Sequence, residues 1–114
     1  MIYSLKYTEN IKKGFAGYAR LWFIRIRPIY KNDKGLLEHE KTHVKQFWHT
    51  FGFHGILYLL PKSYKLDAEI EAYKVQLEYV SLEMKDITRI KFANRIATMY
   101  NLNISEKEAH QLLL

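Results

Sequence analysis

The chain contains no cysteine among its 114 residues. This absence excludes disulfide bonds and thiolate zinc sites, so any metal ion must be held by histidine, aspartate or glutamate. Only two prolines and five glycines interrupt the sequence, and it has no repeat, low-complexity tract or proline-rich linker. We therefore expect residues 1–114 to form a single domain, which at this length holds one modest hydrophobic core.

Long apolar runs are missing as well. The longest lies near residues 56–60, far below the roughly 20 residues that a membrane-spanning helix requires. The first residues also lack the basic-then-apolar order of a secretory signal. The sequence therefore predicts a soluble protein of the cytoplasm that has no membrane partner.

What the chain does contain is typical of a folded protein. Its residues are 48% apolar and 15% aromatic, which suits a packed core and not a disordered chain. The net charge of +6 comes from 18 basic against 12 acidic residues, and we interpret this scattered excess as favouring solubility. Binding of nucleic acid is an alternative without a recognised motif, through Tyr18, Arg20, Trp22, Arg25 and Arg27.

The N-terminal part of the chain carries the signals of a small sheet. Gly17 is interpreted as a turn residue. Residues 18–30 are rich in aromatic and β-branched side chains, and Ile24 and Ile26 alternate there with arginines. This alternation predicts a half-buried strand, and Pro28 favours an edge position or a strand end.

Helical periodicity dominates the rest of the chain. One apolar stripe repeats at spacings of four and three through Leu66, Ile70, Tyr73, Leu77, Val80 and Met84. A capping box at Ser105 opens a short last helix. The predicted elements are a sheet-rich region over 1–31 and helices over 36–51, 66–85, 87–100 and 105–114. Strands followed by helices indicate the α+β class.

The first predicted helix carries a metal-site motif. Residues 39–43 read His-Glu-Lys-Thr-His, and two histidines four positions apart on a helix project from one face and can share a zinc ion. Glu40 then lies beside the ion, where a carboxylate can act as a general base on water. His39 and His43 are therefore candidate zinc ligands, and Glu40 is the candidate catalytic residue.

Two residues compete to be the third ligand that catalytic zinc usually takes. Glu69 falls on the apolar arc of the second long helix, where a carboxylate needs a compensating positive charge, either zinc or a basic side chain. His49 completes the spacing of the metzincin family, but that pattern has glycine at the position of Gln46. If the helix continues, His49 lies about 120° from His43 and cannot reach the same ion.

The motif at 39–43, followed by Glu69-Ile70-Glu71-Ala72 on a later helix, resembles the gluzincin branch of zinc metallopeptidases. The small size is most similar to the minigluzincins, and similar short proteins occur in bacteriophage genomes. The resemblance covers roughly residues 18–85. It implies a minimal zincin-like domain, in which a small antiparallel-type sheet packs on an active-site helix and a glutamate-bearing helix.

This resemblance also implies a site and a reaction. One zinc ion, held by His39, His43 and Glu69, would activate water for Glu40 to deprotonate, and the protein would act as a metalloendopeptidase on peptides or proteins. In place of the acidic residue that often follows the zinc glutamate by four positions stands Tyr73. Its hydroxyl is expected to be able to accept the imidazole N–H.

Further expectations concern the substrate and the level of activity. The strand over 24–29 is expected to be an edge that pairs with the substrate backbone. Larger members of the resembled family take an oxyanion donor from a second subdomain, for which this chain is expected to have no room. His54, Tyr64 or Tyr73 would then have to donate instead, and activity is expected to be weak or latent. The C-terminal leucines, residues 112–114, are expected to cover the cleft or to bury against a second copy in a homodimer. A zinc-binding structural or interaction module without catalysis is the alternative function.

Overall fold

The computed structural model describes residues 1–51, 53–59 and 62–114. Its architecture is α+β, as the order of sequence signals predicted. The strands are β1 (Ser4–Tyr7), β2 (Gly17–Arg20) and β3 (Phe23–Ile26). The helices are α1 (Lys34–His49), α2 (His54–Leu59), α3 (Lys62–Leu77), α4 (Lys85–Met99) and α5 (Glu106–Leu112), with 3₁₀ turns at Pro28–Tyr30 and Leu82–Met84. Part of the apolar run at 56–60 thus belongs to α2.

The three strands form one mixed sheet in the order β1-β3-β2. Strand β2 pairs antiparallel with β3, whereas β1 runs parallel to it. The expectation of an antiparallel-type sheet is therefore wrong for β1. The expected edge strand over 24–29 is also wrong, because β3 is paired on both sides and ends at Ile26. Pro28, which has no N–H to donate, opens a 3₁₀ turn instead.

Helix α1 packs its apolar face on this sheet. Asp33 caps its N-terminus, where the carboxylate accepts a hydrogen bond of 2.9 Å from the N–H of Leu36. Leu36 and Val44 are buried against Ile24 and Ile26 of β3, so the alternation predicted for that strand is confirmed. At the sheet's β2–β3 turn, Trp22 stacks on Trp48 near the end of α1 with ring centroids 6.1 Å apart.

Helix α3 differs from its predicted span of 66–85. It begins at Lys62 and ends at Leu77, because the next three N–H groups bond to carbonyls three residues back at 3.1 Å. Val80 lies beyond the helix but still packs against the buried core, which explains why the apolar spacing continued. The later helices lie within two residues of their predicted starts, and Ser105 caps α5 as expected.

Two apolar clusters flank the centre of the molecule. One joins the sheet to α1 through Ile24, Ile26, Leu36 and Val44. The other joins α3, α4 and α5 through Tyr73, Leu77, Phe92, Ala93, Ile96, Leu102, Ala109 and Leu113. Between them, α1 lies against α3 and buries polar side chains. Among the described residues, no helix has both the length and the apolar composition for crossing a membrane.

The C-terminal leucines take a different place from the one expected. Leu113 is 2% exposed and belongs to the α3–α4–α5 cluster, while Leu112 and Leu114 are exposed. Helix α5 packs on α4. The hypothesis that this segment covers the cleft is wrong for Leu113, because its side chain completes the apolar core.

Candidate metal centre

Helix α1 presents its two motif histidines side by side. His39 and His43 are one helical turn apart, and their ring centroids lie 5.1 Å from each other. Both are buried, at 4% and 8% exposure. Such burial is unusual for paired imidazoles unless charge or hydrogen bonding compensates it.

Helix α3 supplies that compensation through Glu69. This carboxylate is 2% exposed and divides its oxygens between the imidazoles. Oε1 lies 3.6 Å from Nε2 of His39, and Oε2 lies 3.2 Å from Nε2 of His43. The buried position predicted for Glu69 on the helix arc is therefore confirmed, and the residue faces both histidines.

These donor atoms have the spacing of a metal-ligand set. One ligand atom from each of His39, His43 and Glu69 lies within 4.8 Å of the others. Two donors about 2.1 Å from a zinc ion at a tetrahedral angle stand about 3.4 Å apart, close to the 3.6 Å from His39 to Oε1 and the 3.2 Å from His43 to Oε2. Oε1 of Glu69 is buried without a hydrogen-bond partner in the described part of the chain. Two imidazoles and one carboxylate, of which one oxygen is unpaired, fit a divalent cation such as zinc.

The competing third ligand lies elsewhere. His49 ends α1 on the exposed surface, and it borders a groove with Ile2 and Trp48. Helix α1 continues through Gln46, which places His49 about 120° around the helix from His43. The metzincin-type arrangement is therefore not the one that this fold adopts.

The carboxylate of Glu69 and the imidazole of His43 strongly shift each other's pKa. Burial alone would raise the pKa of Glu69, but His43 and His39 hold it well below its usual range. Burial alone would lower the pKa of His43, but the Glu69 carboxylate outweighs burial and raises this pKa to about 9. In the absence of a metal ion, these opposite shifts favour an ion pair between the Glu69 carboxylate and a protonated His43.

Glu40 lies on the same face of α1, beside the ligand set. It is 5% exposed, and burial raises its pKa although the imidazoles of His39 and His43 partly oppose the shift. A carboxylate with a raised pKa is better matched to proton transfer near neutral pH than an ordinary one.

The edge strand β2 passes directly over this carboxylate. A Cβ atom on Gly17 would lie only 2.9 Å from Oε2 of Glu40 and 3.3 Å from its Cγ. Gly17 therefore does not mark a turn, as the sequence interpretation had it. It begins β2, where the lack of a side chain lets the strand approach Glu40.

Gln46 connects His43 to the glutamate-bearing helix. Its Oε1 lies 2.9 Å from Nδ1 of His43. Its Nε2 donates hydrogen bonds of 3.1 Å to the carbonyl of Ala68 and 2.7 Å to the carboxylate of Glu71. In the sequence, Gln46 was interpreted only as a departure from a glycine pattern. Its position one helical turn after His43 could have predicted a hydrogen bond to that imidazole.

Helix α2 adds aromatic and imidazole groups that the motif did not reveal. The hydroxyl of Tyr58 donates a hydrogen bond to Oε2 of Glu69. The ring of His54 lies 6.2 Å from that of His43, and its Nδ1 is 2.7 Å from the hydroxyl of Tyr64. Burial, reinforced by His43, lowers the pKa of His54 to about 4. Of the expected oxyanion donors, His54 and Tyr64 are therefore near the site, and Tyr58 was missed because nothing in its local sequence distinguishes it.

Tyr73 supports His39 by packing and not through its hydroxyl. The two rings meet edge to face with centroids 4.4 Å apart. The hydroxyl lies 2.8 Å from that of Tyr100 and accepts a hydrogen bond from Nε of Arg95. Nδ1 of His39 has no partner among the described residues, so the expected hydrogen bond from His39 to Tyr73 is not made.

The arginines proposed for nucleic-acid contact are partly engaged within the fold. Arg27 donates to the carbonyls of Phe15 and Ile11 and pairs with Glu9 at 2.7 Å. Its guanidinium thereby holds the loop between β1 and β2. Arg25 and Arg20 carry no comparable set of contacts in the described residues.

Comparison of the chain with protein-family models, with curated proteins and with solved structures finds no match in any of the three.

Proposed function

We propose that this protein is a zinc-dependent metallopeptidase that hydrolyses peptide bonds in the cytoplasm. One observation carries the proposal. Three buried donors, from His39, His43 and Glu69, converge from two helices, and a fourth buried group, Glu40, lies beside them. A purely structural metal site requires no general base, whereas hydrolysis does.

Zinc at this site would supply Lewis acidity, which makes water a stronger acid and a carbonyl a better electrophile. The chain's own groups then divide the remaining tasks. Glu40 takes a proton from water and returns it to the leaving amine. The raised pKa of Glu40 supports this role. His54, with its Tyr64 partner, is the nearest candidate to donate a hydrogen bond to the developing oxyanion.

Substrate would bind along β2 and not along the strand first expected. Strand β2 pairs only with β3 in the described sheet, so its outer edge offers backbone groups to an extended peptide. Because Gly17 of this strand closely approaches Glu40, a peptide paired there would pass next to the general base.

A direct test combines metal analysis with turnover. The purified protein is expected to hold one zinc ion per chain, and Glu69→Ala or His43→Ala is expected to lose it. Glu78→Ala, just after α3, and His49→Ala, at the end of α1, are matched controls at exposed positions, and both should keep the metal. Retention of stoichiometric zinc by Glu69→Ala would contradict the ligand assignment.

A second candidate function is a zinc-binding module without catalysis. The deep burial of all three donors and the hydrogen bond from Tyr58 to Glu69 favour it, because a closed site leaves little room for substrate. Glu40→Gln separates the two candidates. A peptidase loses turnover by roughly a hundredfold or more in this variant while keeping zinc. If the wild type binds zinc but cuts no peptide in a mixed peptide library, the binding module is the correct function.

A further inference from the structure

The side-chain amide of Gln46 is bonded at both ends. Its oxygen faces Nδ1 of His43 at 2.9 Å, and its nitrogen faces the Ala68 carbonyl and the Glu71 carboxylate at 3.1 and 2.7 Å. Gln46 therefore links α1 to α3 next to the candidate ligand His43.

The chemistry of its partners fixes which way this amide points. A backbone carbonyl and a carboxylate only accept hydrogen bonds, so the NH₂ end of Gln46 must face α3. The oxygen must then face His43, where it can only accept. It follows that Nδ1 of His43 must carry a proton, and that Nε2 is the nitrogen left to bind an ion.

We propose that Gln46 is a positioning residue that orients His43 with Nε2 toward Glu69. It also holds the two ligand-bearing helices at a fixed separation, since one amide bonds to both. Its effect on metal binding rests on the proposed zinc site, whereas its effect on the imidazole does not. His39 has no equivalent support on its Nδ1 in the described residues, so Gln46 sets the orientation of one ligand only.

Removing the amide should loosen the site without removing a ligand. Gln46→Met keeps the length of the side chain but neither accepts from His43 nor donates to α3. Loss of a partner that orients a metal-binding histidine typically lowers metal affinity roughly 10- to 100-fold. Gln111→Met, at an exposed position of α5, is the matched control and should leave affinity unchanged.

Exchanging the side chains of residues 46 and 71 separates the orientation of His43 from a general loss of stability. Gln46→Glu places two carboxylates against each other, because Glu71 lies 2.7 Å from the nitrogen that is replaced. Adding Glu71→Gln restores a donor between the two positions, and the new carboxylate at position 46 can still accept from His43. The double variant should therefore recover part of the zinc affinity that Gln46→Glu loses, since the Ala68 carbonyl still lacks its donor, while Glu71→Gln alone changes it little.

A metal-independent readout completes the test. In the metal-free protein near pH 7, the Nδ1–H proton of His43 should exchange slowly with water in NMR spectra, and exchange should become fast in Gln46→Met. A fast-exchanging proton in the wild type, or no change in the variant, overturns the proposal. If exchange responds as expected but the wild type binds no zinc, the orientation by Gln46 stands and the proposed function fails.

Discussion

At the scale of single residues, the chemistry of the site is set by one buried carboxylate between two imidazoles. Glu69 is 2% exposed, and an ionised carboxylate in such a place is costly unless positive charge faces it. A proton on His43 can supply that charge, and so can a divalent cation. The proton and the cation therefore compete for the same nitrogen, and two opposite pH dependences follow.

In the presence of a chelator, the free energy of unfolding should fall as pH rises above neutrality. The pKa of His43 is raised from 6.5 to about 9, so its pairing stabilises the fold fully below pH 6.5 and is lost on the way to pH 9. The pKa of Glu69 is lowered from 4.5, so the same pair is also lost as pH falls below 4.5. Stability from this pair should be greatest between these limits and decline by on the order of 2 kcal/mol toward pH 9.

Thermal unfolding in a chelator at several pH values measures this decline. His43→Gln removes the titrating group and is the control, and its melting temperature should lose the slope between pH 6.5 and 9. A wild-type curve that is flat over the same interval would show that the pair does not form.

Zinc affinity should show the reverse trend. Binding requires Nε2 of His43 without its proton, so one proton leaves for each ion bound. Below pH 9, apparent affinity should rise about tenfold per pH unit. Competition with a metal-sensitive dye between pH 6.5 and 8.5 measures the slope, and an affinity independent of pH would count against His43 as a ligand.

Some of these residues could be predicted from sequence and others could not. Spacing on a helix identified His39, Glu40 and His43, and Glu69 stood out because a carboxylate on an apolar arc demands a partner. Tyr58 reaches Glu69 only because α2 folds back against α3. No local pattern encodes that approach.

At the scale of secondary structure elements, the sequence predicted the bounds of single helices better than the pairing of one element with another. The sequence signals placed α1 to within two residues of its ends, with 36–51 predicted and Lys34–His49 found. The end of α3 was missed because Val80 keeps contact with the core after the helix has stopped. The place of β3 in the sheet was missed because strand order depends on pairing with β1, which lies far away in sequence.

The contact between β2 and α1 leads to a prediction for Gly17→Ala. The added methyl group would displace the carboxylate of Glu40, the movable end of a side chain, while also pressing on Leu36. We expect a loss of roughly 1–3 kcal/mol in the free energy of unfolding and unchanged zinc content. Because small displacements of catalytic groups are costly, turnover should fall about a hundredfold.

Gly35→Ala is the matched control for this prediction. A Cβ atom added to Gly35 would also be crowded, at 3.2–3.3 Å from atoms of Tyr79 and Gln76, but neither of these residues is Glu40 or one of the candidate metal ligands. Stability should fall as well, yet turnover per folded molecule should not. Equal loss of turnover in both variants would mean that Gly17 acts only through stability.

At the scale of the whole molecule, the polar centre lies between two apolar clusters. The α3–α4–α5 cluster holds Tyr73, which packs on His39, and α3 carries Glu69. The stability of this cluster therefore bears directly on the geometry of the site. Sequence composition predicted a modest core but not its division, since that depends on how α1 and α3 meet.

Leu113→Ala tests the role of the C-terminal helix. Leu113 is 2% exposed in this cluster, and truncating such a leucine should lower the free energy of unfolding by about 2–5 kcal/mol. Leu114→Ala, at a position 62% exposed, is the control and should change it by about 0.5 kcal/mol or less. Chemical denaturation measures both, and an unchanged free energy of unfolding in Leu113→Ala would contradict the place of this side chain in the core.

The stacking of Trp22 on Trp48 has a practical consequence. They are the chain's only tryptophans, and both lie where the β-hairpin meets the end of α1. Indole emission therefore monitors only the half formed by the sheet and α1. Far-ultraviolet circular dichroism reports mainly helices, and three of these, α3, α4 and α5, form the other half. Superimposable transitions from the two signals would mean that both halves melt cooperatively, and separated midpoints would reveal an intermediate with only one half intact.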